Sequence, residues 1–281
     1  MKTNLASVII PTFNRCELIC STLDSVWAQT YRPIEVVIVD DGSTDNTKQI
    51  INDWVIQHTD MAFKVVYIYQ KNSGAPSARN NGIKNASGRY LQFLDSDDYL
   101  MPEKLELQIQ KMQIEKTGIC ICDYFHTNEY GENTLFASND RNIEQIITQH
   151  RFLSTSIGVI DISFFKPGFL KWNPKIKKAQ DIDFYLKIFL IIDDFSYVNK
   201  ALFKWIRHTG PGISNSTSFT PIEYLINLTS MLKFHFVNRQ SIQDYKKPYI
   251  NRLYKKALAA IYSKSIFFKF CQNPLNFLKK P

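Results

Sequence analysis

Four apolar runs of strand length recur within the first 95 residues: "ASVIIP", "IEVVIVDD", "FKVVYIYQ" and "RYLQFLD". Helical segments lie between them: about Arg15 to Gln29, then "TDNTKQIINDWVIQ" with Ile50, Ile51, Trp54 and Val55 at helical spacing, then "APSARNNGIKNA", closed by Gly88. Strands separated by helices cannot pair as hairpins; they pair in parallel, with the crossovers covering the sheet faces. The alternation therefore predicts an α/β fold with a Rossmann-like, mostly parallel sheet flanked by helices. Pro102 opens a further helix, "EKLELQIQKMQIEK", and "ICICDYF" returns as a strand.

In such sheets ligands bind outside the carboxyl ends of the strands. The polar clusters of this chain fall at those ends: "PTFNR", "DDGSTDN", "QKNSGAPSARN" and "DSDD". No GxGxxG follows the first strand and no GxxxxGK[ST] occurs, so neither common phosphate cradle is present. Pro11, Thr12, Phe13 and Asn14 instead offer backbone groups and an aromatic ring to a planar base. Asp40 and Asp41 stand where a carboxylate can accept from a base N–H or a ribose hydroxyl. Gly74 permits close backbone approach, and Arg79 is expected to aim at the same rim. Asp95, Asp97 and Asp98 put three carboxylates within four positions, and like charges that close need a positive partner. Strand alternation would turn Asp95 and Asp97 to one side and Ser96 to the other. Two such carboxylates suit Mg²⁺ or Mn²⁺, which fills its remaining shell with water and substrate phosphates. Asp98 reads as a cap of the following helix.

From about Asp140 the rhythm changes. "DIDFYLKIFLI" reads as a helix, "FSYVNKALFKWIRH" as one or two strands, and Thr220–Arg239 and Ile242–Phe270 as two helices. A boundary near residue 215 divides the expected body, 1–215, from a helical extension, 216–281. The chain's net charge of +8 is concentrated in that extension: from Tyr245 onward there are nine lysines and arginines and no acid. A near-neutral body argues against nucleic acid as a partner. The basic, aromatic tail suits peripheral contact with an anionic membrane surface. No apolar run approaches the ~18 residues that span a bilayer, and the N-terminal stretch lacks the features of a signal peptide. The expected place is the cytoplasm, at the inner face of the membrane. Cys16, Cys20, Cys120, Cys122 and Cys271 are expected as free thiols rather than a disulfide or zinc framework.

In order and spacing, "SVIIPTFNR", "VVIVDDGSTDNT", "NSGAPSARNNGI" and "RYLQFLDSDDYLMP" resemble the motifs of family 2 glycosyltransferases of the GT-A fold, closely over about the first 120 residues. The resemblance implies a nucleotide-sugar donor, usually UDP-linked. Pro11, Thr12, Phe13, Asp40, Asn72 and Arg79 match positions that hold the nucleoside and its ribose. Asp95 matches the residue near ribose and metal, Asp97 the direct ligand of Mn²⁺ or Mg²⁺, with Ser96 between them at the donor. In "AQDIDFYLKIFL" Asp181 matches the second acid of a Glu-Asp pair, the catalytic base, while Gln180 replaces the glutamate and Asp183 is an alternative base. "WIRHTGPGIS" resembles an Arg-His segment that closes on the diphosphate, which brings in His208, with Arg207 and Ser214. The implied reaction is transfer with inversion to a lipid-linked saccharide, in synthesis of a bacterial surface polysaccharide such as O-antigen, capsule or lipooligosaccharide. Two other readings stand beside it. A nucleotidyltransferase would need a glycine-rich loop after the first strand. A non-catalytic carbohydrate-binding scaffold on the same fold would not need Asp95, Asp97 and Asp181, though Gln180 leaves room for it.

Overall fold

The computed structural model describes residues 2–58, 60–137, 143, 146, 153–208 and 221–238, with 240, 242, 244–248, 250, 251 and 255 beyond. The chain opens with β1 (Lys2–Thr12), α1 (Ile19–Trp27), β2 (Ile34–Asp40), α2 (Thr47–Gln57), β3 (Phe63–Tyr69), α3 (Ala75–Asn85) and β4 (Gly88–Phe93). It continues through β5 (Tyr99–Leu100), α4 (Lys104–Glu115), β6 (Ile119–Thr127), β7 (Asn133–Phe136) and β8 (Gly158–Asp161). Then come α5 (Gln180–Ile191), β9 (Ser196–Ile206) and α6 (Pro221–Asn238). One sheet takes the order β3-β2-β1-β4-β8-β6-β9-β5, and β7 pairs with β6.

The expected parallel, helix-flanked α/β half is present in β3, β2, β1 and β4. β2 is buried along its whole length, as a central strand with helices over both faces must be. Beyond β4 the sheet becomes mixed. β8 runs antiparallel to both β4 and β6, while β9 runs parallel to β6. By those pairings β6 and β9 point the same way as β1 to β4, so all their carboxyl ends share one rim. The expected strand "FSYVNKALFKWIRH" is the single strand β9. β5, β7 and β8 carry no strong sequence signal because they are two to four residues long.

Helix α3 sits unusually close to the sheet. A Cβ at Gly82 would lie 2.3 Å from Cγ2 of Ile9, a fully buried residue of β1. Only a bare glycine allows that approach.

The expected boundary near 215 lies outside the described residues, as do Ser214, Cys271 and most of the second C-terminal helix. What is described beyond 240 packs on the body: Ile242 and Ile250 join the main apolar core. Lys246, fully buried, donates from Nζ to the carbonyls of Leu190 (3.3 Å) and Ile192 and lies 3.6 Å from Asp193. It thereby caps the C-terminal end of α5, where carbonyls lack helical partners. Lys246→Ala should lower the free energy of unfolding by about 1–3 kcal/mol. Urea titration checks this, and an unchanged midpoint would show that the 242–250 segment is not part of the body's stability.

Candidate active site

The ends of β1 and β2 are locked side by side by the Asp41 amide, which donates to the Thr12 carbonyl at 2.8 Å. The loops beyond them interlock. Asn14, at φ 50°, accepts from the Thr44 amide at 2.8 Å and donates its own amide to Ser43 Oγ at 2.9 Å. Asp40 is buried, its Oδ1 accepting from the Ser43 amide (2.7 Å) and its Oδ2 from the Tyr67 hydroxyl (2.5 Å). Burial first, then Asp40, push the Tyr67 phenol well up. Asp41 turns the other way and clamps the loop before α3. Its Oδ1 accepts from Gln70 Nε2 (2.7 Å) and the Ser73 amide (2.8 Å), and its Oδ2 from the Gly74 amide (2.7 Å). Gly42, at φ 86°, lets Asn72 pass: a Cβ there would meet the Asn72 nitrogen at 2.9 Å. Asn72 is exposed on that loop, and Pro11 is buried in β1. Thr12 Oγ1 is buried without a hydrogen-bond partner, beside Phe13, which stays 43% exposed. An orphaned hydroxyl next to an open ring suits a planar ligand with a polar edge.

Arg79 supplies the positive partner that the acidic cluster demands. It is buried, with Cζ 4.4 Å from the ring centroid of Trp172. Nη2 donates to Asp95 Oδ1 at 2.6 Å and Nη1 to Gln180 Oε1 at 2.8 Å, while Nε has no partner. Trp172 stacks in turn on Phe184 of α5 at 4.2 Å. Sequence reasoning missed Trp172, since an aromatic in an irregular segment announces nothing about which cation it will support.

The acids do not follow strand alternation, because β4 ends at Phe93 and Asp95 to Asp98 form a turn. The expected same-side pairing of Asp95 and Asp97 thus loses its stated reason. They are nonetheless neighbours electrostatically: burial and then Asp95 raise the Asp97 carboxyl, opposed by Arg15 and His208. Arg15 Nε lies 3.7 Å from Asp97. Asp98 is no helix cap. It is buried, accepts from the Ile206 amide (3.1 Å) and Ser156 Oγ (3.3 Å), and is pushed well up by burial and then by Asp95 and Asp97. Ser96 is buried beside it. Through Asp98 the acidic turn holds the end of β9, from which Arg207 and His208 continue; the Arg207 amide donates to the Thr127 carbonyl at 2.9 Å.

Among the described residues no three metal-binding side chains form a closed cage. Asp95 and Asp97, paired with Arg79 and Arg15, still have side chains 31% and 26% exposed, so each carboxylate is accessible from solvent. That donor set fits a hard divalent ion whose remaining ligands are phosphate oxygens and water.

Asp181 lies in the first turn of α5, directly after Gln180. Its Oδ1 accepts from the Ile182 amide at 2.9 Å. Burial pushes its carboxyl up to about 6, with Asp95 adding to the rise and Arg79 opposing it. Asp183 pairs through Oδ2 with Lys187 at 2.5 Å on the buried side of the helix, its Oδ1 enclosed without a hydrogen-bond partner. Of the two acids, Asp181 is the one beside Arg79.

A family model described as glycosyl transferase family 2 matches residues 7–204. The chondroitin synthase of Pasteurella multocida is 31% identical over 254 residues, 86% of this chain and 24% of that protein. The chain spans 17–24% of the length of several curated relatives that it matches. Staphylococcus aureus TarS in complex with UDP-GlcNAc aligns with a TM-score of 0.68 at 22% identity, over 91% of this chain and 81% of that one. A mannosyltransferase of Pyrobaculum calidifontis in complex with GDP-Man and Mn²⁺ aligns with a TM-score of 0.57 at 15% identity, over 100% and 82%. At these identities the two structures speak for the fold.

Two stability measurements test the electrostatics of the site. Arg79→Met should cost about 2–4 kcal/mol in urea unfolding, because it strands Asp95 beside two other acids. For Asp181, a carboxyl held at about 6 disfavours the ionised form in the folded chain. That cost is absent below about pH 4, where folded and unfolded forms are both protonated, and is fully felt above about pH 6. Asp181→Asn should therefore raise the melting temperature at pH 8 and leave it unchanged at pH 4.

Proposed function

The chain belongs to glycosyl transferase family 2 and has the GT-A fold, and on that premise we propose that it transfers a sugar from a nucleoside diphosphate, UDP first among them, to a saccharide hydroxyl with inversion. The observation that carries this reading is the single guanidinium of Arg79, which joins Asp95 of the acidic turn to Gln180, the neighbour of Asp181. It sets a donor-side acid and a base in one cluster. The UDP-GlcNAc and GDP-Man complexes of the two structural neighbours support a nucleotide-sugar donor.

The roles follow from the chemistry of the groups. Phe13 offers its open face to the base, while Thr12 Oγ1 and Asn72 face the nucleoside. Asp40, whose oxygens already accept from the Ser43 amide and the Tyr67 hydroxyl, would receive a base or ribose donor as a further hydrogen bond. Asp97, with Asp95, would hold Mn²⁺ or Mg²⁺, whose charge offsets that building on the departing diphosphate. Arg79 fixes Asp95 and takes up part of the acidic charge, and His208 is poised by Asp97 at the diphosphate end. Asp181 accepts the proton of the acceptor hydroxyl as its oxygen bonds to the anomeric carbon and the bond to the diphosphate breaks. A carboxyl near 6 is a better proton acceptor than an ordinary aspartate and remains ionised at neutral pH. Attack from the face opposite the leaving group inverts the anomeric centre, as in other single-displacement glycosyl chemistry. The proposed acceptor is a lipid-linked saccharide of a surface polysaccharide, because the sequence from Arg252 onward remains basic and aromatic and suits peripheral membrane contact, although Lys246 and Ile250 before it are committed to the body. No helix among the described residues is long and apolar enough to cross a membrane.

The test is turnover of a panel of UDP-sugars, read as UDP release with and without MnCl₂. Asp97→Ala and Asp181→Asn should each lower the rate by about 10³-fold. The wild-type rate should fall as pH drops below about 6, as Asp181 takes up its proton. Turnover undiminished by EDTA removes the metal role. A product that keeps the donor's anomeric configuration removes Asp181 as the direct base.

A further inference from the structure

The rim has a second wall that none of the donor-side residues uses. Four strand positions place aromatic rings on one face of the β6–β7 hairpin and the adjoining β9. Tyr124 lies opposite Phe136, and His126 lies opposite Trp205. The rings form a continuous ladder. Phe203 stacks on Tyr124 at 4.8 Å and Tyr124 on Phe136 at 5.2 Å; Phe136 meets His126 edge-on at 6.0 Å, and His126 lies 4.6 Å from Trp205. One end is sunk in the core, with Phe203 fully buried, and the other, Trp205, is half-buried. The middle ring, Phe136, surfaces at 39% exposure on a strand whose four residues are all exposed. A cluster serving the core alone would bury its central ring, and ordered exposed aromatics mark binding surfaces. His126 Nε2 is also enclosed without a hydrogen-bond partner, a deficit that a ligand hydroxyl or a water would relieve.

The ladder's position gives it a use. The carboxyl ends of β6 and β9 lie on the rim shared with β1 to β4. Trp205 immediately precedes Ile206, whose amide is held by Asp98, next to Asp97. Tyr124 lies within electrostatic reach of Asp181 and Asp98. We propose that this ladder of Tyr124, Phe136, His126 and Trp205 is an acceptor subsite, and that its ligand is a pyranose residue laid with its apolar C–H face on Phe136 and Trp205. The chemistry favours a saccharide over a peptide or an acyl chain. On the same strand face as Phe136 stands the exposed Thr134 hydroxyl, with the charge of Arg207 within electrostatic reach of His126, and sites for polyhydroxylated ligands combine apolar area with a few such polar groups. The inference rests on the transferase reading, because a donor alone needs no second sugar site.

The probes are chitotriose, cellotriose and maltotriose, titrated calorimetrically into the full chain, with UDP and MnCl₂ titrated in a parallel cell. At least one trisaccharide should bind the wild type. Phe136→Ala and Trp205→Ala should each weaken it by roughly tenfold, the worth of one ring contact. Phe136→Tyr should retain it, and UDP affinity should hold throughout. Phe136 is surface-exposed, so its variant folds; circular dichroism melts control for Trp205→Ala. The subsite is overturned if no trisaccharide binds the wild type, if binding is equally tight in Phe136→Ala, or if UDP affinity falls in parallel. UDP binding without trisaccharide binding discards the ladder and keeps the transferase reading. Trisaccharide binding lost in Phe136→Ala, with no UDP binding in the wild type, keeps the ladder as a saccharide site and discards that reading.

Discussion

The guanidinium of Arg79 is the interaction on which the rest of the site depends. Asp95, Asp97 and Asp98 crowd one turn, where burial and their mutual repulsion push the Asp97 and Asp98 carboxyls up. Arg79 meets this with a direct ion pair at 2.6 Å. Its second arm reaches Gln180, and its flat face rests on Trp172, which is itself stacked on α5. A lysine could neutralise charge but could not span two acceptors while lying on a ring. The same side chain therefore ties the donor-side turn, α3 and α5 into one unit.

The neutral amide at position 180 bears on that unit. A glutamate there would be a further carboxylate on a guanidinium already paired with Asp95. Gln180 accepts the hydrogen bond and leaves the charge of Arg79 undivided between Asp95 and Asp181. Asp181 can then sit with a raised carboxyl yet stay ionised near neutrality, while Asp183, two residues on, is consumed by its pair with Lys187. Spacing on one helix separates the two acids: Asp181 feels Arg79 and Asp95, while Asp183 faces Lys187 on the packed side.

Much of the fold was legible because the parallel half writes itself in apolar runs and polar strand ends. "IEVVIVDD" becomes a fully buried central strand, and the four polar clusters do meet on one rim. The second half was harder to read, because β5, β7 and β8 are pinned by neighbours distant in sequence rather than by their own pattern. The roles of individual acids were the least legible. Asp98 looks like its neighbour Asp97, yet its carboxylate is spent on the Ile206 amide. Asp40 and Asp41, alike in sequence, hold different groups: the Ser43 amide and Tyr67 hydroxyl for one, the Ser73 and Gly74 amides for the other. Which acid faces a ligand and which faces the backbone is settled by turn geometry, and strand alternation misjudges it once the strand has ended at Phe93. The aromatic ladder escaped notice for a related reason. Its members are scattered from Tyr124 to Trp205 and become neighbours only through β6–β7 and β6–β9 register.

The closeness of α3 to β1 has an outcome of its own. Where Gly82 meets Ile9, the helix rides on a seat with no room for a methyl group, and that helix carries Arg79 one turn earlier. An alanine at 82 would lift the whole rod, and the cation would withdraw from its acid although no charged atom had been altered. The tolerance of the charged centre is thus governed by a position with neither charge nor side chain.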